Sequence, residues 1–177
     1  MNISRLILLL CASFLCAHAK AQDTLHWSSK DTLTWDDFKG KPNLSSSHLA
    51  ISSTGISYSL HYADSSCIFK VAAFFNKSNS WRKPSADLKV LKHEQGHFNI
   101  TEIFARKLEA ALQQLKPDRD TIKKTIDQLA ANIINDKNEY QKKYDLETGF
   151  GTNNLMQQKW EQVIQAQLRR SNDLMTQ

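Results

Sequence analysis

Two histidines four positions apart flank a glutamate in the segment His93-Glu94-Gln95-Gly96-His97. On an α-helix, side chains four residues apart point the same way, so the two imidazoles can bind one metal ion. Neutral imidazole is a good ligand for Zn²⁺, and a carboxylate beside the ion can take a proton from the water that the ion holds. The motif therefore predicts a Zn²⁺ site with His93 and His97 as ligands and Glu94 as the general base, provided that it lies on a helix.

The segment that carries the motif has the pattern of a long helix, from Ala86 to Leu115. Apolar residues recur at helical spacing along it, Ser85 precedes it as a candidate N-cap, and Lys116-Pro117 ends it. Gly96 costs about 1 kcal/mol relative to Ala inside a helix. Its presence indicates that another group approaches the helix backbone closely at this position.

The third ligand of the predicted zinc site is expected from another segment, because a catalytic zinc usually has three protein ligands and one open position. Glu102 is close in sequence but lies roughly 140° around the helix from His97, so it faces away. The sequence favours Asp145, for which a cap or turn role is the alternative. The other candidates are two further acidic residues near the end of the second predicted helix and three histidines of the N-terminal half: Glu139, Glu147, His26, His48 and His61.

The N-terminal half, residues 22–83, is β-rich. Residues alternate between apolar and polar from Leu49 to Tyr62, with Gly55 as a candidate bulge, and Cys67–Asn76 is rich in Ile, Phe and Val. The two segments predict an antiparallel hairpin over Leu49–Asn76. Two shorter strands are predicted around Leu25–Trp27 and over Leu33–Trp35.

The C-terminal half, residues 84–172, is helical. After the motif helix, a second helix is predicted from Asp118 to about Lys143 and a third from Asn154 to about Leu168, with a frayed tail. Asp145 and Glu147 would lie in the loop between these helices. Strands first and helices second predict an α+β fold, in which a small antiparallel sheet packs against about three helices.

The first 21 residues have the features of a secretory signal peptide. Arg5 provides a positive charge, Leu6–Cys16 is a short apolar run, and Ala19-Lys20-Ala21 is a cleavage site. The run is too short to span a bilayer, and no later stretch is apolar enough. The sequence therefore predicts an exported protein, periplasmic or extracellular, whose residues 22–177 form a single domain.

The charge and the cysteine content argue against nucleic-acid binding and against an intramolecular disulfide. The formal net charge of +5 falls to +3 when Arg5 and Lys20 leave with the signal peptide, and no basic patch with interleaved aromatic residues indicates nucleic-acid binding. Only Cys67 remains, so no intramolecular disulfide can form. Its apolar, strand-like surroundings predict a buried side chain.

Several segments together resemble a bacterial family of unknown function whose members are described as secreted zinc-dependent proteases. The resemblance rests on Trp35–Gly40, Leu91–Glu102, Ala105-Arg106, Tyr144–Thr148 and Gln158–Trp160, and these segments extend over most of residues 22–177. It implies a zincin-like site with His93 and His97 as zinc ligands and Glu94 as general base. Members often carry a histidine shortly after the segment that matches Tyr144–Thr148, where this chain has Phe150. Phe cannot bind zinc, so either another residue completes the site or the site is degenerate.

The sequence thus favours a zinc metallopeptidase that acts on peptides or proteins, with Tyr140 or Tyr144 as a candidate oxyanion stabiliser. Two alternatives remain open: a non-catalytic or degenerate metal-binding protein of the cell envelope, and a metal-dependent amidase that acts on cell-wall material. The motif predicts the hydrolytic chemistry but not the substrate.

Overall fold

The computed structural model describes residues 23–63, 66–115 and 121–175. In these parts of the chain, five strands precede three helices: β1 Thr24–His26, β2 Ala50–Ile51, β3 Thr54–Ala63, β4 Ser66–Asn76, β5 Trp81–Arg82, α1 Leu88–Gln113, α2 Ile122–Thr148 and α3 Asn154–Met175. This arrangement confirms the predicted α+β fold. The predicted signal peptide, the predicted helix start at Asp118 and the side chain of Cys67 lie outside the described residues.

The strands form two antiparallel sheets, one of three strands in the order β1-β4-β3 and one that joins β2 to β5. The β3–β4 pairing confirms the predicted hairpin and runs unbroken from the pair Thr54–Phe75 to the last pair at the hairpin end. The bulge predicted at Gly55 is wrong. Gly55 pairs in register with Phe74, and a Cβ on Gly55 would come within 2.5 Å of that aromatic ring.

The strand predicted over Leu33–Trp35 is also wrong. Trp35–Asp37 form a short 3-10 turn. The Asp37 carboxylate accepts hydrogen bonds from the backbone N–H and the hydroxyl of Thr34, at 2.9 and 3.0 Å. These local bonds satisfy the backbone at the start of the turn, where a strand would have needed a neighbouring strand.

α1 is the central element of the fold. One side of it packs against the sheet, where Phe75 and Ala73 of β4 are buried, and the other side packs against α2 and α3. Ile100 and Leu108 of α1 are fully buried. The motif therefore lies on a helix that is held from both sides, which limits the movement of its side chains. Among the described residues, no helix has the length and apolarity needed to cross a membrane.

The helix bounds differ from the predicted ones for local reasons. α1 begins after Asp87 rather than Ser85, because the Asp87 carboxylate accepts the N–H groups of Lys89 and Val90. α2 continues five residues past Lys143 and ends where Gly149 adopts a left-handed conformation.

The predicted frayed tail is helical, since α3 continues to Met175. The guanidinium of Arg106 donates to the carbonyl oxygen of Leu168 at 2.9 Å and to the hydroxyl of Ser171 at 3.0 Å. These contacts attach the end of α3 to α1.

Candidate metal centre

Three side chains from two helices converge at one end of the helical layer. His93 and His97 project from the same face of α1, and Asp145 comes from the last turn of α2. Asp145 Oδ1 lies 3.0 Å from His93 Nε2 and 2.9 Å from His97 Nε2, and the two Nε2 atoms are 3.2 Å apart. The structure thus brings together the two histidines of the motif and the carboxylate that the sequence favoured.

The donor set and its spacing fit a zinc ion. Bonds of 2.0–2.1 Å in a tetrahedral arrangement place ligand atoms about 3.3 Å apart, close to the three distances in this cluster. Two imidazole nitrogens and one carboxylate oxygen are also the ligand types of a catalytic zinc, which keeps its fourth position open. These three residues could therefore hold a metal ion.

The position of Asp145 differs from the expected one. It lies on α2 rather than in the loop after it, so its side chain is aimed by a helix and not by a turn. His48 lines the same cavity without joining the cluster. The remaining candidate ligands lie elsewhere, exposed on α2 or on the strands: Glu139, Glu147, His26 and His61.

Glu102 faces away from the cluster, as its spacing predicted. Its carboxylate accepts a hydrogen bond from Arg106 Nε at 2.7 Å, on the side of α1 that meets α3. It therefore cannot serve as a ligand at this site.

Electrostatics within the cluster favour a cation between the ligands. Burial alone would lower the pKa of His97, but its hydrogen bond to Asp145 and the negative charges of Glu94 and Asp145 raise it. Burial alone would raise the pKa of Asp145, but hydrogen bonds from His93 and His97 hold it well below its usual range. A proton on His97 would thus supply the positive charge that a metal ion would supply, and metal binding would release it.

Gln157 of α3 orients His93 from behind. This glutamine is buried, and its Oε1 lies 3.2 Å from His93 Nδ1. Because the amide oxygen only accepts, it favours the tautomer with a proton on Nδ1, which leaves the Nε2 lone pair available to a metal. The His93 ring also stacks on Tyr144, with centroids 4.6 Å apart. Sequence reasoning missed Gln157; the available signal was a polar residue on the apolar stripe that continues through Trp160 and Ile164.

Replacing Gln157 with Leu is expected to weaken zinc affinity by about 10- to 100-fold, the usual effect of losing a partner behind a metal-bound histidine. The measurement is zinc titration against a competing chelator. Gln158→Leu is the matched control, because Gln158 is the next residue of α3 and is exposed. Equal affinities in the two variants would contradict the orienting role of Gln157.

Gly96 lies where the Tyr144 phenol meets α1. A Cβ at Gly96 would be 2.2 Å from Tyr144 Oη, and that hydroxyl donates to the carbonyl oxygen of His93 at 3.1 Å. The sequence predicted that another group comes close to the helix backbone at Gly96, and this group is the Tyr144 hydroxyl. This close approach brings α2 near enough to α1 for Asp145 to reach both histidines.

Gly96→Ala is expected to destabilise the fold by about 1–2 kcal/mol. Ala favours the helix by about 1 kcal/mol, but the clash with a buried ring costs more, as overpacking does. Urea unfolding measures the difference. Adding Tyr144→Phe, which removes the clashing hydroxyl, should recover part of the loss, and a more stable Gly96→Ala chain would contradict the packing argument.

Neither tyrosine considered as an oxyanion stabiliser lines the cavity at the cluster. Tyr144 is fully buried, and burial raises its pKa far above the usual value, so its phenol stays protonated. Its hydroxyl contacts the His93 carbonyl oxygen and Gln157. The Tyr140 hydroxyl accepts from Gln167 at 3.0 Å in the groove between α2 and α3. Both phenols therefore support the helix packing.

A cavity of about 180 Å³ opens on the cluster. Glu94 lines it and is only 4% exposed, and its Oε2 atom is buried with no hydrogen-bond partner among the described residues. A buried carboxylate oxygen without a partner is costly. Glu94 lies in the same cavity as the three candidate ligands.

Comparison with known proteins gives one family match. The family model described as "Bacterial protein of unknown function (DUF922)" matches residues 70–151, a little under half of the chain. The matched region includes the histidine motif and Asp145, together with the end of α2. No curated protein and no solved structure matches the chain.

Proposed function

We propose that the protein is a zinc-dependent hydrolase that cleaves peptide bonds. The observation that carries this proposal is the convergence of His93, His97 and Asp145 at a cavity that Glu94 also lines. When bound, zinc would lower the pKa of a water molecule to about 7 and polarise the carbonyl group under attack. The three ligands would hold the ion, and the cavity gives the substrate access to it.

Glu94 would move the proton in this reaction. It precedes His97 by three residues on α1, so both side chains face the cavity. It is outside the group of atoms that could bind the ion, so its carboxylate is available to accept a proton from water. It would then donate that proton to the departing amine, as a general base that becomes a general acid.

The strand beside the cavity supports a peptide substrate. Five consecutive residues, His48 to Ser52, line the cavity. Two of them, Ala50 and Ile51, form β2. Successive side chains of a strand point to opposite faces, so a cavity that touches both lies along the edge of β2.

The backbone of that edge can pair with an extended chain. Among the described residues, β2 pairs only with β5. The amide of Lys83 donates to Leu49 O at 2.7 Å, so Leu49 and Ile51 direct their polar groups towards β5. Because these directions alternate in an antiparallel ladder, the N–H and C=O of Ala50 point the other way. Ala50 is only 3% exposed, so a peptide would reach these groups from within the cavity, where it would pair with them as an added strand.

The test is cleavage of a degenerate peptide library by the zinc-loaded chain, next to Glu94→Gln and a set of cell-wall fragments. Cleavage of peptides by the wild type alone is the expected result. Release of products only from cell-wall fragments would overturn the peptide assignment in favour of an amidase. A wild type that binds no zinc would instead favour a non-catalytic role.

A further inference from the structure

The turn after α2 holds a bulky residue in an unfavourable backbone conformation. Phe150 has a φ of 54°, between Gly149 at 54° and Gly151 at 82°. Glycine adopts positive φ at little cost, but a bulky side chain rarely does. The Phe150 ring is also 45% exposed, so burial of the ring does not compensate fully for the strain. Strain of this kind is concentrated at binding and catalytic sites.

Hydrogen bonds and packing fix this turn to the candidate metal centre. The Phe150 N–H donates to the carbonyl oxygen of Asp145 at 2.9 Å, and the Gly149 N–H donates to that of Leu146 at 3.4 Å. This is the pattern of a Schellman motif, which closes the end of a helix. On the other side, a Cβ on Gly151 would lie 2.8 Å from His93 Cβ. The position of Phe150 is thus set relative to both Asp145 and His93.

The ring of Phe150 forms one wall of the cavity. It meets the His48 ring edge to face, with centroids 4.9 Å apart, and both residues line the cavity. Leu49, Ile51 and Val90 add apolar lining. His48, Leu49, Ile51, Val90 and Phe150 thus line one part of the cavity of about 180 Å³, and the candidate ligands and Glu94 line another part, so an apolar side chain next to a bond at the metal centre would contact the apolar part.

We propose that Phe150, supported by His48, forms a specificity subsite for an aromatic or branched aliphatic side chain next to the cleaved bond. This proposal rests on the proposed peptidase function. Burying such a side chain removes the exposed Phe150 ring from water, which favours binding.

The test compares cleavage of a library, randomised around the scissile bond, by the wild type and two variants. Phe150→Asn removes the ring but tolerates positive φ well, and Phe150→Tyr keeps an aromatic ring. Leu155→Asn is the matched control, because Leu155 is also an exposed apolar residue, at the start of α3, and lies outside the cavity. The wild type should prefer aromatic and branched aliphatic residues at one position.

In Phe150→Asn, kcat/KM for the peptides that the wild type prefers should fall by at least about tenfold, which is the scale on which an apolar pocket discriminates between side chains. The differences in kcat/KM between peptides should become smaller. Phe150→Tyr and Leu155→Asn should keep the wild-type preference. The thermal midpoint of Phe150→Asn should stay the same or rise, because the strain is relieved; a purely structural role would lower it instead.

The outcomes separate this inference from the proposed function. Cleavage by the wild type without an apolar preference, or an unchanged preference in Phe150→Asn, would overturn the subsite alone. A zinc-loaded wild type that cleaves no peptide in the library would overturn both.

Discussion

Replacing Glu94 with Gln is expected to abolish peptide hydrolysis and to leave one zinc ion per chain in place. The amide has nearly the shape of the carboxylate but cannot accept the proton from water. Glu94 is also outside the group of candidate ligands, so zinc binding does not depend on its charge in a direct way. Positioned acid–base catalysis contributes about 10²- to 10⁴-fold, and the loss of kcat should lie in that range or beyond.

The experiment measures zinc content and kcat for the same preparations of wild type, Glu94→Gln and a control. Glu109→Gln is suitable as the control, since Glu109 lies on the same helix but does not line the cavity. Unchanged hydrolysis in Glu94→Gln would contradict the general-base role. Loss of zinc from Glu94→Gln would show instead that the carboxylate is a ligand.

The histidine motif was predictable because it depends only on residues that are close to one another in the sequence. Helical spacing, the proline after the helix and the identity of five consecutive residues place His93, Glu94 and His97 on one face without any knowledge of tertiary contacts. Glu102 could be excluded for the same reason. The hairpin followed from the alternation along β3 and the Ile, Phe and Val content of β4, which are also local features.

The sequence identified Asp145 as the third candidate ligand but did not predict that it lies on α2. Asp145 was favoured for its position along the chain, yet its orientation depends on five further residues of α2 that the sequence assigned to a loop. Gly149, which ends the helix in a left-handed conformation, was the signal for the later boundary. The approach of α2 to α1 at Gly96 depends on Tyr144, and such a pairing of distant residues cannot be derived from a periodic pattern.

The residues around the centre were the least predictable. Gln157 acts on His93 from 64 positions away, and the Phe150–His48 contact joins a loop of the β-rich half to the turn after α2. A histidine was the expected residue at position 150 if the third ligand came from that turn. The structure supplies a carboxylate from α2 instead, and the aromatic ring is free to line the cavity.

Replacing Asp145 with Asn is expected to remove most of the zinc affinity. The substitution keeps the size of the side chain but takes away the negative charge that offsets the ion, and an amide oxygen is a weaker zinc ligand than a carboxylate oxygen. Losing a partner behind a ligand weakens binding by about 10- to 100-fold, so losing a ligand itself should exceed 100-fold. His97→Ala should have an effect of similar size, whereas Gln157→Leu should have a smaller one.

Zinc content after dialysis and the zinc-induced rise in thermal midpoint both measure this effect. A ligand at 100 times its Kd stabilises the folded state by about 2.7 kcal/mol, so zinc should raise the midpoint of the wild type and leave that of Asp145→Asn nearly unchanged. Glu139→Gln and Glu147→Gln are the matched controls, because both carboxylates lie on α2 and are exposed. If either control lost zinc while Asp145→Asn retained it, the assignment of the third ligand would be wrong. If all three kept one zinc per chain and His97→Ala lost it, the two histidines would hold the ion without a carboxylate from α2.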